Sequence, residues 1–455
     1  MELDFDACYT AVSARDGRFD GRFYTAVTST GIYCRPICPA RTPARKNVTF
    51  YRYAAAAEAA GFRPCRRCRP ELSPGAPGWD VRADLVGRAL RLIDAGIADE
   101  QGVAGLARRL HVTERHLHRL FVTELGTGPL AVVRTRRLLL AKQLLHETSL
   151  PVTEIAFAAG FGSVRQFNAT MKESYGFTPG DLRKTTGAIR GASGLTLRLS
   201  YRPPYDAATM LRFLAARAIP GVETVTETSY ERVIRGGTMT LKPAADHILL
   251  TASIDDTRQL AGVVSRCRRL FDLDADPEAI AATLGQTSLA PLLAAHPGLR
   301  VPGAYDGFEM AVRAVVGQQI SVAGARTILG RIVARAETVG FPTASELAKT
   351  DLTGLGMTNR RVASLQALAE AVASDELDLD GGDPAETQDS LLALPGFGPW
   401  TVGYIALRAL RDPDAWPGGD LGLRRSMERL GIGEDEVETW RPWRAYAALH
   451  LWNGV

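Results

Sequence analysis

The stretch LLALPGFGPWTVGYIALRAL, residues 391–410, decides how the C-terminal half of this chain is read. Leu394-Pro395-Gly396-Phe397-Gly398 reads as a tight turn running into an apolar helix, and Gly396 and Gly398 leave backbone N–H groups open. Amides gathered at a turn before a helix bind a phosphate oxygen without any positive side chain. Just beyond lie the loop RDPDAWPGG (411–419), Asp420, and a second predicted helix, LGLRRSMERL (421–430). An Asp in this position serves as a helix N-cap. The same helix end keeps its carboxylate ionised, and a fixed carboxylate stabilises positive charge developing in a transition state. The two roles are compatible.

Five of the six tryptophans fall between residues 400 and 452, and Trp400 and Tyr404 share a helix face at i, i+4. Trp440 and Trp443 read as core. The others suit an aromatic pocket for a base turned out of a duplex, whose π faces favour a cationic guest. The hairpin string resembles the helix-hairpin-helix of base-excision glycosylases. With LSYRPPYDAATMLRFLAARAIPGVET (199–224), FEMAVRAVVGQQISVAGA (308–325), Asp420 and WRPWRAYAALHLW (440–452), residues 195–455 resemble AlkA-type 3-methyladenine glycosylases. That resemblance implies Asp420 as the catalytic carboxylate and Trp400, Tyr404 and Trp452 as the pocket lining. It also implies Gln318 and Gln319 in the segment that fills the gap left by the flipped base, where an apolar wedge is common. Trp400 stands where bifunctional members carry a Schiff-base lysine, which implies base excision without strand cleavage.

Charge divides the chain. Residues 1–190 carry 28 Lys+Arg against 18 Asp+Glu, residues 191–455 carry 26 against 32, so only the front part meets a polyanion by bulk charge. Apolar residues make up 46% and charged residues 23% of 455, which suits a folded chain of several domains. No apolar run is long enough for a membrane span, and MELDFDACYT lacks the order of a secretory signal; a cytoplasmic protein without membrane partners is expected.

The middle of the chain repeats itself. VAGLARRLHVTERHLHRLFVTELGTGP (103–129) matches VTEIAFAAGFGSVRQFNATMKESYGFTP (152–179) with one residue inserted, so that Leu117, Phe121, Gly126 and Pro129 align with Phe167, Met171, Gly176 and Pro179. Each copy is a helix, a short turn and a second amphipathic helix, and RTRRLLLAKQLLH (134–146) predicts a continuous helix between them. This double unit resembles an AraC-type DNA-binding domain, which implies second helices in adjacent major grooves. Arg115, His116, Arg165 and Gln166, with Thr113, Arg119, Ser163 and Asn168, would then face base edges; solvated helix faces are the plain alternative.

Four of the six cysteines cluster as Cys34-x3-Cys38 and Cys65-x2-Cys68. Two close pairs separated by a loop bring four thiolates onto one tetrahedral Zn²⁺. A purely structural site is the plain reading. Arg35, Arg41, Arg45, Lys46, Arg66, Arg67 and Arg69 surround it, a basic shell that favours phosphate approach and thiolate sulfur. TGIYCRPICPARTPARKNVTFY (30–51) and GFRPCRRCRPE (61–71) resemble Ada-type methylphosphotriester methyltransferases. In that family the first cysteine is both zinc ligand and methyl acceptor, which implies Cys34 as nucleophile and Zn²⁺ as both a structural and a nucleophile-activating ion. Methylation changes the site from a net −2 to −1. At ~7 Å from a phosphate that removes roughly 0.6 to 2.4 kcal/mol of repulsion, enough to raise DNA affinity about tenfold over several phosphates.

The expected architecture is therefore multidomain. A small α+β zinc domain (1–75) is followed by an all-α double helix-turn-helix domain (79–184), an α+β domain (195–280) and an all-α helix-hairpin-helix glycosylase domain (281–455), with SPGAPG (73–78) and TTGAIRGASG (185–194) as linkers. The expected function is alkylation repair and regulation, with alkylated and promoter duplex DNA and RNA polymerase as partners. One alternative is a transcription activator with an inactive glycosylase-like domain. Another is a zinc DNA-binding scaffold.

Overall fold

The computed structural model describes residues 3–75, 85–184 and 195–454. The predicted linker at 185–194 and residues 76–78 of the other lie outside the described residues. The chain forms two compact units, one of residues up to Arg202 together with Asp246–Ser265, the other of Pro203–Ala245 together with Arg266 onward.

In the first unit, four short strands form a sheet in the order Val48–Tyr51, Tyr24–Val27, Ile32–Cys34, Arg63–Pro64. The first three are antiparallel and the last runs parallel to Ile32–Cys34, with Tyr33 opposite Pro64. Alternation explains the register: Tyr33 is fully buried against Tyr24 and Ala57, while its neighbours Ile32 and Cys34 face the other way.

The internal repeat is borne out down to its caps. Helices Glu114–Leu125 and Val164–Tyr175 start on Thr113 and Ser163, whose hydroxyls accept from His116 N and Gln166 N at 3.2 and 3.1 Å. Both end on a glycine in the left-handed region, Gly126 and Gly176, each at φ 74°. The second helices bury Leu117 and Phe121 in one copy and Phe167 and Met171 in the other. The connecting helix, Pro129–Glu147, is longer than the 134–146 run that predicts it. Its last two turns are buried all round, including Lys142, Gln143, His146 and Glu147, so the expected single apolar face is incomplete as a description. Lys142 donates to Glu71 Oε2 at 2.8 Å and to Cys65 O at 3.3 Å. Strands Leu195–Ser200 and His247–Ile254 pair antiparallel, and Leu195 and Leu197 join the core of the second helix-turn-helix copy.

In the second unit, Glu223–Val225, Tyr230–Ile234 and Gly237–Pro243 form an antiparallel meander beside helix Ala207–Arg217. The remainder is helical. Its core centres on helix Gly307–Val316, which buries nearly every side chain, against Val322–Ala336, Asn359–Ala373 and Pro399–Ile405. Among the described residues no helix is long and apolar enough to cross a membrane.

Candidate zinc and base-pocket sites

The two anionic sites fall in different units. In the first, parallel pairing sets Cys34 and Cys65 beside each other, one residue past the Tyr33–Pro64 match, with Cys65 N donating to Tyr33 O at 2.9 Å. A turn closed by Cys38 N on Arg35 O returns Cys38 to the same place. The four sulfurs of Cys34, Cys38, Cys65 and Cys68 all lie within 4.8 Å of one another, and Cys38 Sγ is 4.0 Å from Cys65 Sγ. Zn–S bonds of about 2.3 Å in a tetrahedron require sulfurs about 3.8 Å apart. The donor set therefore fits one Zn²⁺, and the spacing is too long for disulfides. Backbone N–H groups of Arg35 and Arg67 point at Cys68 and Cys65 sulfurs at 3.3 and 3.4 Å, a further stabilisation of negative sulfur. Cys65 and Cys68 are buried; Cys34 and Cys38 reach solvent.

The basic shell divides into two sets. Arg35 pairs with Asp20, Arg45 with Asp6, and Arg69 with Glu71 and Glu147. Burial pulls the Arg35 guanidinium down, but the Asp20 charge outweighs it and leaves it above its ordinary value. Arg41, Lys46, Arg66 and Arg67 are exposed. Behind the sheet, Tyr33 and Thr135 donate to the two oxygens of Glu58 at 2.9 and 2.7 Å, and Tyr175 reaches it at 3.4 Å. One carboxylate thus joins the strand carrying Cys34 to the connecting helix and to the end of helix Val164–Tyr175. Of the candidate base readers, Arg115, Arg165 and Gln166 are exposed and His116 is half-buried, its Nδ1 3.0 Å from Arg119. Thr113 and Ser163 spend their hydroxyls on capping.

In the second unit, Asp420 caps helix Leu421–Leu430, accepting from Leu423 N at 3.0 Å. Its two oxygens also receive both indole N–H groups, Trp452 Nε1 on Oδ1 at 2.9 Å and Trp400 Nε1 on Oδ2 at 3.0 Å. Three donors on one carboxylate fix its direction. Gly422 makes room for this: a Cβ there would stand 3.0 Å from Asp420 Oδ1 and 3.3 Å from the Trp452 ring. Trp400 stacks on Tyr404 with centroids 5.6 Å apart at 11°, and Tyr404 meets Trp452 edge-on at 6.2 Å. These residues line a cavity of about 390 Å³ together with Phe213 and Arg217. Trp440 and Trp443 are buried core, as expected.

Gly396 adopts φ +84°, and a Cβ on it would lie 2.2 Å from Ser364 Oγ, so the hairpin turn tolerates no side chain there. Gly398 caps helix Pro399–Ile405 with nothing near its missing Cβ. Gln318 donates to Gly396 O at 3.0 Å and Thr401 Oγ1 at 2.9 Å, tying the two loops together, while Gln319 is exposed at φ +57°. Sequence reasoning missed the cavity's other wall. Phe213 and Arg217 come from helix Ala207–Arg217, and Arg408 from a π-helical continuation, Ala406–Leu410. All three lie within the segments 199–224 and 391–410, but nothing local marks which of their residues face the cavity.

Comparison with known families finds four matches along the chain. Residues 7–71 match the metal binding domain of Ada, 106–185 a helix-turn-helix domain, 196–306 the AlkA N-terminal domain, and 312–442 the HhH-GPD superfamily of base excision DNA repair proteins. The chain is 44% identical to a Mycobacterium tuberculosis protein described as "Probable bifunctional transcriptional activator/DNA repair enzyme AlkA", over all of this chain and 97% of that one. It is 36% identical to DNA-3-methyladenine glycosylase 2 of Escherichia coli, over 56% of this chain and 95% of that one. It is also 36% identical to the bifunctional transcriptional activator/DNA repair enzyme Ada of Escherichia coli, over 40% of this chain and 49% of that one.

Proposed function

Because this chain belongs to the family of bifunctional transcriptional activators and DNA repair enzymes that join an Ada-type front to an AlkA-type glycosylase, we propose that it repairs two kinds of alkylation damage and uses the first as a signal. The activities are assigned to segments 1–75, 79–184 and, for the glycosylase, 195–280 with 281–455.

Cys34, Cys38, Cys65 and Cys68 hold the Zn²⁺, which keeps sulfur as thiolate at neutral pH. A Cys34 sulfur lone pair attacks the methyl carbon of a backbone methylphosphotriester. The C–O bond breaks and the phosphodiester leaves as its anion. The thioether product does not turn over, so the reaction is stoichiometric. The exposure of Cys34 and of Arg41, Lys46, Arg66 and Arg67 supports this reading. Loss of one negative charge then strengthens binding of promoter DNA through Arg115, His116, Arg165 and Gln166, with recruitment of RNA polymerase.

The glycosylase reading is carried by one observation: the Asp420 carboxylate, held by Trp400 and Trp452, in the wall of an aromatic cavity. An alkylated purine turned into the cavity loses its bond to C1′, the base departs, and water adds to the sugar. Asp420 stabilises the positive sugar in between. Among the cavity-lining residues there is no lysine, which supports cleavage of the base alone. Gln319, with Gln318 fixing its loop, fills the gap in the stack, and Gly396 and Gly398 hold a phosphate of the lesion strand.

Release of free base from alkylated duplex by wild type and by Asp420→Asn tests the assignment. Loss in the variant supports it; equal release by both proteins removes Asp420 from the catalytic role, and absent release in both returns the chain to a regulator with an inactive glycosylase-like domain. For the front segment, mass spectrometry after mixing with methylated DNA should show one added methyl on Cys34, and an unmodified Cys34 rejects the assignment.

A further inference from the structure

The cavity wall away from Asp420 carries Glu223 and Glu309, both paired with Arg232 and Arg313, and Asp306, and beside them two further guanidinium groups. Arg217 lines it, with its guanidinium 3.7 Å from the Phe213 ring centroid and one N–H on Phe213 O at 3.3 Å. Arg408, buried behind it, uses its donors on Pro302 O, Gly303 O at 3.2 Å and the Tyr404 hydroxyl at 2.8 Å. Neither arginine forms an ion pair with a carboxylate among the described residues. Burial lowers the Arg408 guanidinium from its ordinary value, and the Arg217 and Arg313 charges push the same way. Burial alone would raise the Tyr404 phenol, but the Arg408 and Arg217 charges outweigh it and bring it down.

This arrangement is unexpected for a pocket that admits only positively charged bases, because a guanidinium repels such a guest. It suits a guest that brings an acceptor. The Tyr404 oxygen accepts from Arg408 at 2.8 Å, so its own proton is left to donate. Arg217 lines the same cavity.

Resting on the glycosylase reading above, we propose that Arg217, with the Tyr404 hydroxyl, is a specificity-determining pair that selects bases carrying an oxo group on the entering edge. Methylated or deaminated 6-oxopurines are thereby favoured over 6-aminopurines. An oxo group accepts from both donors, and with N7 methylated it is the acceptor left on that edge of guanine. A 6-amino group presents donor to donor, so with 3-methyladenine only N7 can accept and one of the two donors is left desolvated and unmatched. For an uncharged 6-oxopurine the same donors stabilise the negative charge that builds on the departing base, so the effect extends to the chemical step.

One substrate carries the test. Duplex DNA treated with a simple methylating agent contains both 7-methylguanine, a 6-oxopurine, and 3-methyladenine, a 6-aminopurine, and both released bases can be quantified from the same reaction. Arg217→Met should lower release of 7-methylguanine about tenfold or more beyond any fall in 3-methyladenine release, and an unchanged melting temperature shows that the variant is folded. Arg217→Lys should recover part of the loss. Tyr404→Phe, which keeps the ring, should shift the ratio the same way by a smaller factor. An unchanged ratio in Arg217→Met, or an equal fall in both bases, overturns the assignment. Wild type releasing neither base would instead overturn the glycosylase reading itself.

Discussion

The two anions of this molecule are held by opposite means. At the front, four sulfurs converge from two hairpin-like segments, and only a cation can keep like charges within 4.8 Å of one another. At the back, a single carboxylate is surrounded by donors the protein supplies itself, two indole N–H groups and a helix N-terminus. The first arrangement depends on a bound ion and the second is complete without any addition; under the proposed function the first is consumed by one reaction and the second survives each turnover. A chain can thus carry a single-use sensor and a repeating catalyst.

Removing the metal should separate them most sharply. Zinc binding contributes on the order of 10 kcal/mol to folding of small zinc domains. Chelation is expected to abolish methyl transfer and lower the melting temperature of the front unit, while base release on short alkylated duplexes persists; calorimetry with both assays reads this. If base release falls in step with zinc content, the two sites are not independent. Asp420→Asn comes next, with base release reduced about 10²- to 10³-fold, roughly 3 to 4 kcal/mol, and Cys34 methylation unaffected. Both rates should be measured on the same preparation.

Acid sharpens the comparison differently. Burial pushes Glu71 up, but His146, Lys142 and Arg69 outweigh it and hold its carboxyl at about 2, against 4.5 when unfolded. Its stabilisation is fully present above pH ~4.5 and is lost as pH falls toward about 2, roughly 3 kcal/mol in all. Glu71→Gln should therefore melt below wild type at pH 5, with the gap narrowing by pH 3. A gap independent of pH would show that packing, not charge, is what Glu71 supplies. The smallest effect is expected from Trp452→Phe, which keeps a ring in the cavity and removes one donor from Asp420. A loss of about 1 kcal/mol, near fivefold in the single-turnover rate of base release, should result.

What could be read from sequence was whatever repeats locally. Thr113 and Ser163, read as facing base edges, cap their helices, whereas the aligned pairs Leu117 with Phe167 and Gly126 with Gly176 and the helix after Asp420 each announce themselves within a few residues. So do the four cysteines, because metal geometry imposes their spacing. Partnerships across the chain leave no such trace. Trp400 and Trp452 were legible as pocket rings, but not as donors to Asp420, since that depends on how two helices 52 residues apart in sequence meet one loop. Lys142 sits in a run that reads as an ordinary amphipathic helix, and only the buried Glu71 explains it. Likewise, three of the seven arginines and lysines around the cysteines are paired with carboxylates.

Helix Pro129–Glu147 carries a consequence for the nucleic acid rather than for the protein. A rod of 19 residues, locked by packing along its length, behaves as a ruler between the two reader helices. One residue added to it would swing the second reader by about 100°. Under the proposed function, the operator must then keep a constant interval between its two contacted segments. A single base pair inserted between them turns one face away by about 35° and moves it about 3.4 Å, a phase error that no side-chain adjustment at Arg165 or Gln166 can absorb.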